Sequence, residues 1–126
     1  MVNKSRFIKC TPHLPVRNLN ETINYYLQQL EFSEQWTYGS RDGGVSRDEL
    51  YLLFAEEPEL VAKMNTLGHR LPLLWFVNNI DDVYREFLGK QVEIADPLTE
   101  HPYGMKEFAF IDINGYYIRI AEKMED

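Results

Sequence analysis

Apolar residues at Leu19, Ile23, Tyr26, Leu27 and Leu30 recur with the helical period and predict a helix over 19–30. Asn18 stands where an N-cap belongs, with Glu21 three residues later in a capping-box arrangement. Ahead of it, residues 7–16 read as a strand. Behind it come a strand over 32–38, a turn over 39–44 and a strand over 49–55. Residues 56–68 form a charged connector with room for one helical turn. The pattern then starts again. Residues 71–77 read as a strand, and Asn79 caps a helix carrying Ile80, Val83, Tyr84, Phe87 and Leu88, which ends near Gly89. A short strand over 92–95, a loop over 97–104 and strands over 105–111 and 116–121 complete it. The last two strands are joined by Asp112-Ile113-Asn114-Gly115, whose Asn-Gly supplies positive φ.

This recurrence extends to the letters themselves. Tyr51-Leu52-Leu53-Phe54-Ala55-Glu56 is echoed 66 residues later by Tyr117-Ile118-Arg119-Ile120-Ala121-Glu122. Val16-Arg17-Asn18-Leu19 is echoed 61 residues later by Val77-Asn78-Asn79-Ile80. The order is the same in both halves, so the chain reads as one domain over 1–126 built from two repeats, module 1 over about 7–56 and module 2 over about 71–122. Each is strand, helix, then three strands, an α+β fold. Matching positions of the two halves are expected to face one shared cavity.

Charge and composition narrow the function. The formal net charge is −7, which argues against nucleic acid as a partner, because phosphate binding needs a basic patch. No apolar run reaches the length of a membrane span. The first residues lack an apolar signal core, so a cytoplasmic location is expected. Cys10 is the only cysteine, which leaves no internal disulfide and fits a reducing compartment.

Several segments resemble a known family. Leu14-Pro15-Val16-Arg17-Asn18-Leu19, followed by Tyr25-Tyr26 and Leu30-Glu31-Phe32, is similar to the opening of the vicinal oxygen chelate superfamily. Asn18 replaces the usual Asp, and Glu31 the usual Gly. His101-Pro102-Tyr103-Gly104-Met105-Lys106-Glu107-Phe108 resembles the Pro-Trp-Gly-x-x-Glu-Phe loop of its bleomycin-resistance-like branch, with Tyr103 in place of Trp. Asp112-Ile113-Asn114-Gly115 resembles the same branch's Asp-Pro-x-Gly turn. The resemblance covers about residues 7–122. It implies two tandem βαβββ modules whose curved sheets form an open, barrel-like cavity, and often a homodimer with its sites near the subunit interface.

Enzymes of that superfamily hold a divalent metal on His, Glu or Gln from the first and last strands of each module. The resemblance places these positions at Thr11, Leu53, Pro72 and Arg119. Leucine and proline offer no donor, threonine a weak one, and arginine a fixed positive charge with no lone pair. No metal and no other cofactor is therefore expected, since catalytic sites use three or more His or carboxylate ligands.

The remaining candidates are read from strand alternation. His13 shares a face with Thr11 and would hydrogen-bond a ligand or sit as a satisfied polar residue. Trp36 and Tyr38 share a face at the cavity mouth. Tyr51, Leu53 and Ala55 share one, as do Tyr117, Arg119 and Ala121. Phe76 lies with Leu74 and Pro72, whereas Trp75 points to the helices and belongs to the core. Arg119 is either an anchor for an acidic ligand or the partner of a neighbour such as Glu107. His69 and His101 read as loop residues. The expected ligand site is His13, Trp36, Tyr38, Tyr51, Phe76, Tyr103, Met105 and Arg119, with no catalytic residue. The expected function is metal-free sequestration of a planar or partly aromatic small molecule, in the manner of bleomycin resistance proteins. The alternatives are a glyoxalase- or dioxygenase-like lyase or oxygenase of the same superfamily, including one using His13 as a base, and a structural module with a filled cavity.

Overall fold

The computed structural model describes residues 4–65 and 72–125. Gly68, His69 and Leu71, read above as connector, loop and strand start, lie outside the described residues. Module 1 runs β1 (His13–Val16), α1 (Leu19–Gln28), β2 (Glu34–Tyr38), β3 (Asp42–Arg47) and β4 (Leu50–Glu56). The connector contains α2 (Pro58–Met64). Module 2 runs β5 (Leu73–Phe76), α3 (Ile80–Gly89), β6 (Glu93–His101), β7 (Met105–Ile111) and β8 (Tyr117–Lys123). The two four-stranded sheets have the same order, β1-β4-β3-β2 and β5-β8-β7-β6. In each, the first strand lies parallel to the last, with His13 beside Leu53 and Leu74 beside Arg119. Those two pairs are the ones that the sequence echoes equate, so the repeat is structural as well as textual.

The repeated glutamate at the end of each echo has a clear task. A helix N-terminus leaves backbone N–H groups without partners, and a carboxylate there also meets the positive end of the helix dipole. Glu56 Oε1 accepts from Leu19 N at 2.8 Å. In module 2, Glu122 accepts from Ile80 N at 3.0 Å and from Asn79 N at 3.1 Å. Asn18 caps α1 as the sequence implies, its side chain accepting from Glu21 N at 2.9 Å. Asn79 does not cap α3 with its side chain: it sits in the left-handed region at φ 56, and Glu122 takes the exposed N–H groups instead.

One hydrophobic core spans both modules. α1 packs on β3 and β4, and α3 on β6, β7 and β8. Their inner residues form a continuous cluster with Leu52, Phe54, Phe108, Phe110, Ile118 and Ile120. Trp75 belongs to it, and joins the halves through Phe32 at 6.0 Å and Phe110 at 5.7 Å. Among the described residues its indole N–H finds no hydrogen-bond partner. Aromatic rings, which are only weak acceptors, flank it.

Polar contacts fasten the modules together at the β7–β8 turn. Tyr26 of α1 donates to Asp112 Oδ2 at 2.6 Å, both groups being buried. Asp112 Oδ1 accepts from Asn114 N and Tyr116 N, both at 2.9 Å. Asn114 in turn accepts from Arg17 N at 2.8 Å and donates to Thr22 Oγ1 at 3.0 Å. Tyr116 Oη donates to Pro15 O at 2.6 Å. Of the Asn-Gly pair only Gly115 has positive φ, at 88°. Across the molecule, Arg47 of β3 forks onto Glu86 of α3 at 2.8 Å through both terminal nitrogens.

Other expectations are corrected. Residues 7–12 form no strand, and β1 begins at His13. The turn read over 39–44 is confined to 39–41, and Gly43 and Gly44 lie within β3, where side chains occupy both faces: Ile23 and Leu19 lie against Gly43, and the Trp36 ring against Gly44. The loop over 97–104 is mostly strand, since β6 continues through Pro97 to His101 by shifting its register twice. α3 does end at Gly89, but Gln91 takes the left-handed conformation, at φ 60.

Candidate functional site

The helices cover one face of each sheet and leave the other open. On the module 1 sheet, register aligns Trp36, Gly44, Leu53 and His13 across β2, β3, β4 and β1. Cross-strand partners share a face, so these four form one row on the open side. The Trp36 ring lies on Gly44: a Cβ there would stand 2.4 Å from Trp36 Cζ2. Trp36 is nevertheless 37% exposed and Tyr38, two residues on, 82% exposed. Tyr51 is exposed on the same face, with Lys9 Nζ 4.0 Å from its ring centre. His13 is exposed, so it is not a core histidine.

On the module 2 sheet the open face forms a cavity of about 340 Å³. Asp96, Thr99, His101, Tyr103, Tyr117 and Arg119 line it, with Glu107 at its floor. Arg119 places Nε and Nη2 each 2.9 Å from the Glu107 carboxylate. Tyr103 Oη donates to Glu107 Oε2 at 2.7 Å, and the His101 ring stacks on Tyr103 with centres 4.9 Å apart. The second tyrosine of the cavity, Tyr117, donates to Asp96. Of the two readings of Arg119, the geometry shows the pair with Glu107.

These contacts set the charge of the cavity. The Arg119 guanidinium, seconded by the Tyr103 hydroxyl, holds the Glu107 carboxyl below its ordinary range although burial opposes this. Donation to Glu107 raises the Tyr103 phenol, and donation to Asp96 pushes Tyr117 up to about 12. All three groups thus stay in their ordinary forms near neutral pH. Arg119 is neutralised by Glu107, and Asp96 leaves a negative charge at the rim.

The expected site residues therefore fall in two sets. His13, Trp36, Tyr38 and Tyr51 lie on the module 1 face. Tyr103 and Arg119 line the module 2 cavity, Phe76 is 63% exposed on β5, and Met105 opens β7 half-buried, outside the cavity lining. Sequence reasoning missed Asp96, Thr99 and Tyr117, and took His101 for a plain loop residue. The alternation of Tyr117 with Arg119 was a usable signal for one of them. Asp96 carries none, because it falls between the short strand over 92–95 and the loop over 97–104 of the sequence reading, whereas β6 runs through it.

The four positions at which superfamily enzymes hold metal do not fit a divalent ion. Leu53 is a hydrocarbon beside His13, Pro72 has no donor, and the Arg119 guanidinium is engaged by Glu107. Among the described residues no group of three or more His, Cys, Asp or Glu side chains is arranged to hold one.

Two tandem βαβββ modules with open sheets define the class, and the sequence match agrees. A family model, the Glyoxalase/Bleomycin resistance protein/Dioxygenase superfamily, matches residues 7–120, and the chain belongs to that family. Solved structures share the fold. One is the bleomycin-binding protein of Streptomyces verticillus complexed with copper(II)-bleomycin, at 20% identity and TM-score 0.71, covering 98% of this chain and 100% of that one. Another is a bleomycin resistance determinant encoded on the transposon Tn5, at 18% identity and TM-score 0.77, covering 93% and 98%. A glyoxalase/bleomycin resistance protein/dioxygenase from Nocardioides is similar at 13% identity and TM-score 0.72, covering 98% and 88%. At these identities the likeness concerns the fold. No curated protein matches the sequence.

Proposed function

We propose that this chain is a metal-free, cytoplasmic binding protein that sequesters a drug-like small molecule as a homodimer, without chemical turnover. The observation that carries the reading is the set of large aromatic side chains left exposed on the open sheet faces: Trp36, Tyr38, Tyr51, Phe76 and Tyr103. Large rings left exposed on the open faces of a small domain offer an interaction surface, since flat rings supply both burial and offset stacking. Trp36 seated on Gly44 and Tyr103 held by Glu107 are ring platforms already fixed in place, which lowers the entropy lost on binding. The likeness in fold to bleomycin-binding proteins supports a ligand of that kind. Because Glu107 already neutralises Arg119 while Asp96 remains, the charge favours a neutral or cationic ring over an acidic one.

The test is a titration of wild type and Tyr103→Ala with metal-free bleomycin, a flavin and a simple phenol, followed by tryptophan fluorescence. Aromatic anchors contribute about 2 kcal/mol when truncated, so Tyr103→Ala should bind roughly thirtyfold more weakly with its fold intact. Equal affinities would remove Tyr103 from the site. No response to any compound would favour a structural module instead.

A further inference from the structure

A second cavity, of about 510 Å³, lies between α3, the end of β5 and the β3–β4 turn, so both modules build it. Val83 and Phe87, one turn apart on α3, share a face and wall it on one side. Trp75, only 7% exposed, and Ile120 form its floor, and Leu50 closes it from module 1. Protein interiors are close-packed and leave few voids. A void of this size with an apolar wall and a few polar groups has the character of a small-molecule site. It is also braced. Arg47 of β3 reaches Glu86 of α3 at 2.8 Å through both terminal nitrogens, and its Nη1 donates to Leu30 O at 2.7 Å. This strut fixes the turn relative to α3 before any ligand arrives, which lowers the ordering cost of binding.

The charge at its mouth selects the occupant. Arg47, the only cation among the described lining residues, is engaged by Glu86 and Leu30 O. Asp48 and Glu49 of the turn bring two exposed carboxylates, and Asn78 a neutral amide. We propose that this cavity is a second ligand site, separate from the open sheet faces, and that it takes a lipophilic amine. The aryl or alkyl body lies against Trp75, Leu50 and Phe87, and the ammonium group sits by Asp48 and Glu49. Burial of the body supplies most of the affinity. The carboxylates, exposed and screened by salt, supply a modest preference for a cation. The proposal does not rest on the binding role given to the open faces. Of the aromatic side chains exposed there, Phe76 alone also borders this cavity.

The chain has two tryptophans, one for each site, and this makes the test. Trp36→Phe leaves Trp75 as the only tryptophan emitter, and Trp75→Phe leaves Trp36. The probe is para-phenylbenzylamine, with para-phenylbenzyl alcohol and para-phenylbenzoate as its neutral and anionic counterparts, titrated at low salt. In Trp36→Phe the amine should change Trp75 emission saturably, binding about fivefold more tightly than the alcohol, and the benzoate should bind most weakly. Adding Asp48→Asn and Glu49→Gln should bring the amine down to the alcohol's affinity and leave the alcohol's unchanged. Both side chains are exposed, and asparagine, like aspartate, accepts the left-handed backbone at residue 48, φ 52, so the fold is kept. Val83→Phe, which fills the cavity, should weaken amine and alcohol at least about tenfold. No saturable change in Trp75 emission, equal affinities for amine and benzoate, or an amine affinity unmoved by the charge removals or by Val83→Phe overturns the proposal. A response seen only from Trp36, in Trp75→Phe, places the compound on the open faces; it overturns this site and leaves the proposed binding role standing.

Discussion

Tyr26→Phe isolates the contact that fastens the two modules. The substitution removes one oxygen and leaves the ring, which packs against Phe32 at 5.2 Å and Phe54 at 5.3 Å. What is lost is the 2.6 Å hydrogen bond to Asp112 Oδ2. The carboxylate keeps its two backbone donors on Oδ1, but Oδ2 is left without the phenol in a buried site. A hydrogen bond to a buried charge is worth about 1.5–3 kcal/mol, so a loss of about 2 kcal/mol is expected. For 126 residues the usual entropy of unfolding turns 2 kcal/mol into a fall of about 7 °C in thermal midpoint. The loss also depends on pH with a defined sign. Burial raises the Asp112 carboxyl above its ordinary value, and the Tyr26 hydrogen bond partly offsets this. Removing the phenol raises it further. A raised folded-state carboxyl costs stability above its titration range and ceases to do so once protonated. The gap between wild type and Tyr26→Phe should therefore narrow as the pH is lowered from neutral into the raised titration range of Asp112. Thermal and urea melts of the pair at several pH values measure it. A gap under about 0.5 kcal/mol at neutral pH, or one that widens in acid, would refute the account of the clamp.

Two further outcomes follow from the site. Gly44→Ala drives a methyl to within 2.4 Å of the Trp36 ring and 2.6 Å of Leu52 O, and the backbone oxygen cannot move aside cheaply. Stability should fall by about 1–3 kcal/mol, and Trp36 emission, read in a Trp75→Phe background, should shift to the red; an unchanged spectrum and melt would mean that the ring does not rest there. Elemental analysis of purified protein should find no stoichiometric Zn, Fe, Mn or Ni; one metal per chain retained after chelation would overturn both the donor-set argument and the binding role.

Residues that obey a period were legible in the sequence, and residues that break one were not. α1 and α3 follow the helical spacing, and the echoes at Leu53 and Arg119 fixed a register that the sheets reproduce. Why those echoes exist was hidden, because Glu56 and Glu122 cap helices 37 and 42 residues away along the chain. β3 was missed because Gly-Gly signals a turn unless a ring is known to lie on it. β6 is cut short at 95 in the sequence reading because Pro97 and the register shifts destroy the alternation that marks a strand. In the site, the Arg119–Glu107 pair was foreseen as one of two readings, since both residues face the same way on adjacent strands. The Tyr26–Asp112 contact spans 86 residues, and no local pattern announces it.

The central claim is that the open aromatic faces hold a planar compound and return it unaltered. Equilibrium dialysis of the metal-free protein against such a compound, with mass spectrometry of the recovered molecule, tests this most directly. The account predicts saturable binding, loss of affinity in Tyr103→Ala, and a compound recovered with its mass unchanged. Conversion of the compound to a new product, or retention no greater than with a protein lacking these faces, would contradict it.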